Sequence, residues 1–78
     1  MIAVPPGRTI DEQLKIRGKT YKEFASYMEM TEEEINHLIF GEVYISVDIA
    51  EKLEIVLGIP ADFWIKLEGI YRQKLKNK

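Results

Sequence analysis

Residues 20–41 read TYKEFASYMEMTEEEINHLIFG, and their spacing is that of two short helices joined by a tight turn. Thr20 followed three residues later by Glu23 is a capping box: the threonine side chain accepts the Glu23 N–H while the carboxylate reaches back to the Thr20 N–H. Tyr21, Phe24, Ala25 and Met28 then fall at i, i+3, i+4 and i+7, an apolar stripe that predicts a helix over 21–28. Thr31 and Glu34 repeat the device. Ile35, Leu38 and Ile39 form the inward stripe of a second helix, 32–40, ended by Gly41. Steeply crossed helices need a small residue where they approach, and Ala25 supplies it, with Ile35 and Leu38 pointing back from the second helix. A glycine usually takes the turn four residues after that alanine. Here Glu29 stands there, so a left-handed turn would cost on the order of 1 kcal/mol.

Outward on the N-terminal side, Met1 to Gly7 carries Pro5 and Pro6 and is expected to be extended. A helix over 8–17 follows, with Ile10 and Leu14 facing inward, Asp11 and Glu12 in its first turn where the dipole favours them, and Gly18 as its stop. On the C-terminal side, Val43, Tyr44 and Ile45 are too few for a useful strand and read as a loop over the core. Ser46 caps a helix over 47–57, in which Ile49, Ala50, Leu53, Val56 and Leu57 share one side before Gly58. A last helix starts at Pro60, where a missing N–H costs nothing, and runs to Lys76, roughly 25 Å. Its apolar side holds Phe63, Trp64, Leu67, Ile70, Tyr71 and Leu75, wider than four short helices can cover, which predicts that part of it contacts a second copy. The fold class is all-α, with five helices in a single domain over 1–78.

The 78 residues are 46% hydrophobic and 31% charged, an ordinary globular balance for one small core. With no cysteine, neither a disulfide nor a thiolate metal site can contribute, and a second subunit is the natural source of added stability. The net charge of −2 is unevenly spread: +2 over residues 1–28, −7 over 29–54 and +3 over 55–78. No apolar run approaches the roughly 18 residues of a membrane span, and a signal-peptide layout is missing, so no membrane association and a cytoplasmic location are expected.

Glu34 and His37 have the Glu-x-x-His spacing of carboxylate di-metal bundles, but the second such pair and the further carboxylates are lacking, so no metal is expected. Glu34 is taken up by the cap of Thr31. The aromatics around Trp64 lack the interleaved basic residues of a base-stacking platform and read as core or dimer contacts. Arg72, Lys74, Lys76 and Lys78 read as a solvated helix end favoured by the dipole, with contact to DNA or to the acidic face of another subunit as the alternatives. One histidine, no cysteine and no glycine-rich loop leave no nucleophile with its base and no phosphate cradle, which argues against an enzyme and against a cofactor.

Several of these residues together carry a resemblance. Pro6-Gly7, Lys22-Glu23-Phe24-Ala25, Ile35, Leu38, Ile39 and Gly41 resemble the lambda-repressor-like (Cro/cI, or XRE) helix-turn-helix family. Ile45-Ser46, Ala50, Leu53, Leu57-Gly58 and the block from Pro60 to Tyr71, with Phe63-Trp64, Leu67-Glu68 and Tyr71, are similar to its HigA/VapI antitoxin group. The resemblance implies a five-helix lambda-repressor-like domain, homodimerisation, and repression of its own operon as an antitoxin with a toxin protein as partner. It also fits the N-terminal domain of a larger regulator. It places the third helix in the major groove of double-stranded operator DNA, which makes Thr31, Glu32, Glu33, Asn36 and His37 the candidate reading residues. Asn36 can pair bidentately with adenine and a glutamate can accept from cytosine N4. Lys19, Thr20 and Lys22 are candidates for phosphate, helped by the positive end of the second helix. Phe63, Trp64, Leu67 and Tyr71 are the expected dimer contacts. The sequence departs from the family in Glu29, in the glutamates 32–34, in Glu42 and in Phe40. That leaves an alternative, a degenerate helix-turn-helix in which Glu32, Glu33 and Phe40 bind a toxin or another basic protein.

Overall fold

The computed structural model describes residues 4–76, so part of the expected extended N-terminus and Lys78 of the basic tail lie outside the described residues. Within them are five α-helices and no strand: α1 (Gly7–Ile16), α2 (Tyr21–Met28), α3 (Glu32–Ile39), α4 (Val47–Leu57) and α5 (Ala61–Lys76).

The start of α1 differs from expectation. Pro5 and Pro6 do not form an extended lead-in; Pro6 is the N-cap at φ −56° and ψ −25°, and the carbonyls of Pro5 and Pro6 accept from Arg8 and Thr9, each at 3.0 Å. Proline's fixed φ suits a helix start, and its missing N–H falls where a helix has no partner anyway. Gly7 lies against the end of α3, where an added Cβ would overlap the backbone of Ile39. The earlier start moves Asp11 and Glu12 out of the first turn. Asp11 instead accepts from the Tyr21 hydroxyl at 2.7 Å and pairs with Lys15 at 3.0 Å. The bond from Tyr21, then that from Lys15, holds the Asp11 carboxyl below its ordinary range. The same carboxylate pushes the Tyr21 hydroxyl up to about 12.

Both capping boxes form. Thr20 accepts the Glu23 N–H at 3.1 Å and gives its own N–H to Glu23 at 3.0 Å; Thr31 and Glu34 do the same at 3.1 and 2.9 Å. These bonds to backbone N–H groups hold the Glu23 and Glu34 carboxyls below their ordinary values. Between the boxes, Glu29 adopts φ +58° and ψ 41°, the left-handed conformation that ends α2. Its N–H reaches Ser26 at 3.3 Å, and the Met30 N–H reaches back to Ala25 at 2.9 Å, a Schellman closure that turns the chain into α3. Gly41 at φ +76° closes α3 the same way, with the Glu42 N–H on the His37 carbonyl at 2.9 Å.

α2 packs on α3 and α4, α1 on α3, and α4 along α5. Ile10, Phe24, Met28, Ile35, Ala50, Leu53 and Trp64 are fully buried between them. Long side chains finish two helix ends: Lys52 donates to the Met28 carbonyl at 3.2 Å, and Arg17 donates to the Leu57 carbonyl at 2.6 Å. Ser46 caps α4 by accepting the Ile49 N–H at 3.3 Å. α5 begins at Ala61, one residue after the expected Pro60, whose carbonyl accepts the Phe63 N–H at 3.0 Å; the Ala61 N–H is taken by the Glu54 carboxylate at 2.8 Å.

Trp64 corrects the expected dimer set. It is 0% exposed, its indole N–H donates to the Ile59 carbonyl at 3.2 Å, and it belongs to the core of its own chain. Tyr71 and Leu67 are half-buried, and the apolar side chains of α5 that reach solvent are Phe63, Ile65 and Ile70.

Candidate nucleic-acid interface

An eight-residue helix with Ile35, Leu38 and Ile39 buried must turn the rest of its circumference outward. The outer face of α3 therefore carries Glu32, Glu33 and Asn36 exposed, His37 half-exposed, and Phe40 just beyond its end at 67% exposure. Thr31, at the N-cap, is exposed; its side-chain oxygen accepts the Glu34 N–H, which leaves its hydroxyl proton and one lone pair for a ligand. His37 is not a lone side chain: its Nδ1 lies 3.2 Å from the Glu42 carboxylate. Glu42 thus ties the far end of the face and subtracts positive charge from it.

The expected phosphate set stands at the start of α2. Lys19, Thr20 and Lys22 are all exposed there. Thr20 is committed to its capping box, and the Lys19 ammonium sits 5.3 Å from the centre of the Tyr27 ring, a cation–π contact that holds it beside α2. Lys22 forms no ion pair among the described residues and is exposed, which presents its charge to a ligand. The two groups of candidates lie at the N-termini of α2 and α3, where unpaired backbone N–H groups and helix dipoles also favour anions. Against them stand the side chains of Glu32 and Glu33, which occupy the first turn of α3 and compete for that same positive end. Hydrogen-bonding capacity on this face is ample; positive charge is confined to its α2 edge. Among the described residues no three His, Asp or Glu side chains converge to hold a metal, and no helix is long and apolar enough to cross a membrane.

Two residues that sequence reasoning left in the background stand behind this face. Arg72 is not part of a solvated helix end as expected; its side chain is 22% exposed and donates to the carbonyls of Gly41 at 3.1 Å and Val43 at 3.0 Å. Glu68, buried at 7% exposure, accepts the Ile45 N–H at 2.6 Å and pairs with Arg72 at 3.3 Å. The i, i+4 spacing of the pair was a signal for a salt bridge, but not for the loop that both residues hold. In that loop only Ile45 covers the core; Tyr44 is exposed.

Residues 10–64 match the family model described as Helix-turn-helix (HTH_3), from the first turns of α1 to the first turn of α5. Over 66 residues, 85% of this chain and 70% of the other, the sequence is 29% identical to YddM of Escherichia coli K12, an uncharacterised HTH-type transcriptional regulator. The matched span contains both capping boxes, the left-handed turn at Glu29 and the whole outer face of α3. The chain belongs to the XRE-type helix-turn-helix family.

Proposed function

We propose that the protein is a DNA-binding transcriptional regulator, an antitoxin-type repressor of the HigA/VapI kind that binds operator DNA as a symmetric homodimer in the cytoplasm, folded as one domain over 1–78. The observation that carries the reading is the α2–turn–α3 unit: two capping boxes fix both helices, and Glu29 accepts left-handed strain to keep the turn. A chain that retains a strained turn retains the geometry for which the turn exists, which is presenting the outer face of α3. Asn36 then reads adenine, Glu32 or Glu33 accepts from cytosine N4, His37 and Thr31 border them, and Lys19, Thr20 and Lys22 hold phosphate. The dimer forms through α5 with Phe63, Leu67 and Tyr71, joined by Ile70, and without Trp64, which the core has already used.

A second reading is favoured by Phe40, a large aromatic exposed at the end of α3 opposite Glu32 and Glu33. On that reading the same face binds a basic protein, such as a toxin. Electrophoretic mobility shift with DNA from upstream of the chain's own gene separates the two. At about 50 mM salt, where phosphate contacts are strongest, the regulator gives a retarded complex that weakens steeply as salt rises. Absence of any complex there removes the DNA reading and leaves the protein-binding one.

A further inference from the structure

We propose that Glu68 and Arg72 are positioning residues for DNA recognition: from α5 they fix the exit of the reading helix, so that its side chains meet base edges in one register. The inference rests on α3 being the reading helix, as proposed above, and it concerns residues beyond the 10–64 span that the family match covers.

The end of α3 is held from outside. Arg72 bonds the carbonyls of Gly41 and Val43, Glu68 takes the Ile45 N–H, and the two side chains pair with each other. The guanidinium carbon lies 4.2 Å from the centre of the Tyr44 ring and 4.9 Å from that of Tyr71. A Cβ at Gly41 would come within 3.0 Å of the Tyr71 hydroxyl oxygen, so α5 stands directly against the turn that closes α3. Three backbone groups of one short loop are thereby tied to neighbouring turns of a long helix.

A partly buried ion pair is a poor source of stability, since the cost of desolvating both charges offsets their attraction. Apolar side chains of similar volume would hold α5 to the core as well. What the pair adds is direction: donors and an acceptor aimed at named carbonyls and one N–H, which fix where the loop runs. Asn36 lies five residues before Gly41, in the helix that Gly41 closes, so a tilt at the exit is carried to the reading face.

Two distance laws make the consequence specific. Base-edge hydrogen bonds need about 2.7–3.2 Å and are lost on a displacement of about 1 Å. Attraction to phosphates falls over a screening length of about 8–10 Å and hardly notices such a displacement. Loosening the exit of α3 therefore reduces discrimination between sequences and leaves general DNA affinity in place.

The test uses the full chain. Duplexes selected by the wild type from a randomised pool, and scrambled duplexes of the same composition, are titrated by fluorescence anisotropy at about 100 mM salt. The variants are Arg72→Lys, Glu68→Ala and Glu68→Gln. Arg72→Lys keeps the charge but loses the planar guanidinium that stacks on Tyr44 and Tyr71 and so aims one nitrogen, Nη2, at both carbonyls. It and Glu68→Ala lower the ratio of selected to scrambled affinity by about tenfold, the worth of one base contact, with scrambled binding and its salt slope within about twofold of wild type. Glu68→Gln keeps an oxygen for the Ile45 N–H and loses less than Glu68→Ala. Amide exchange monitors the fold: it quickens at Ile45 in Glu68→Ala while Leu53 in the core stays protected. An unchanged ratio overturns the proposal, as does an equal fall in both affinities or exchange that quickens throughout the chain. A wild type that selects no duplex is a different failure: it removes the DNA-binding reading itself, and the positioning role with it.

Discussion

Replacing Glu29 with glycine stabilises the protein. Glu29 is the one non-glycine with positive φ among the described residues, at +58°, and its side chain is exposed. An L residue in the left-handed region carries a cost of about 1–2 kcal/mol, which glycine removes. Glycine also loosens the unfolded chain, and that gives back about 0.4–1 kcal/mol. The net gain is about 0.5–1 kcal/mol, which in a domain of this size raises the melting temperature by about 3–6 °C. Glu29→Ala is the control: it removes the same charge but keeps a Cβ in the left-handed turn, so its stability stays close to wild type. Urea unfolding followed by circular dichroism measures both variants, with an unchanged slope expected because neither alters the buried surface. If Glu29→Gly is no more stable than Glu29→Ala, the turn is not strained, and the reasoning that the chain keeps it at a cost fails.

Trp64→Ala removes a fully buried indole and leaves the Ile59 carbonyl without its partner, a loss of about 3–5 kcal/mol that most of a small domain's stability cannot absorb; circular dichroism shows largely unfolded chain, whereas a folded monomer would return Trp64 to the dimer interface. Lys22→Ala weakens binding to all DNA sequences and reduces the salt slope by about one, while Asn36→Ala relaxes preference at one base pair, both read by anisotropy titration. Tyr21, whose hydroxyl is pushed from 10.0 up to about 12 by the Asp11 carboxylate, contributes stability that is complete below pH 10 and is lost as pH rises towards 12. Melting curves of wild type and Tyr21→Phe therefore differ at neutral pH and converge across that alkaline window; a constant difference would mean that the Tyr21–Asp11 bond carries no such linkage.

The legible part of the molecule was the part written in short spacings. Thr20 with Glu23 and Thr31 with Glu34 are local devices, complete within four residues, and they marked the starts of α2 and α3 without any knowledge of the tertiary fold. Glu29 was legible too, because a left-handed turn leaves few residue choices and an exception stands out. What failed had its cause elsewhere in the chain. Pro5 and Pro6 read as extended because proline suits both an extended lead-in and a helix start, and the choice is made by Gly7 meeting the backbone of Ile39. Trp64 and Phe63 sit side by side on an apolar stretch, and periodicity alone could not say which of them the core would take. Arg72 looked like one more cation at a basic helix end until the loop carbonyls of Gly41 and Val43, about thirty residues earlier, came to meet it. On the reading face, residue identity and exposure were available from the stripe of Ile35, Leu38 and Ile39, whereas the tie between His37 and Glu42 depends on how Gly41 turns the chain.

The acidic reading helix is tested most directly by adding duplex DNA from upstream of the chain's own gene to isotope-labelled protein and following its backbone amide resonances. Recognition through α3 predicts shifts concentrated at Thr31, Glu32, Glu33, Asn36 and His37, with a second group at Lys19, Thr20 and Lys22, and little change at Ile55 on the exposed side of α4. A spectrum unmoved by DNA at low salt, or shifts that bypass α3, would contradict it.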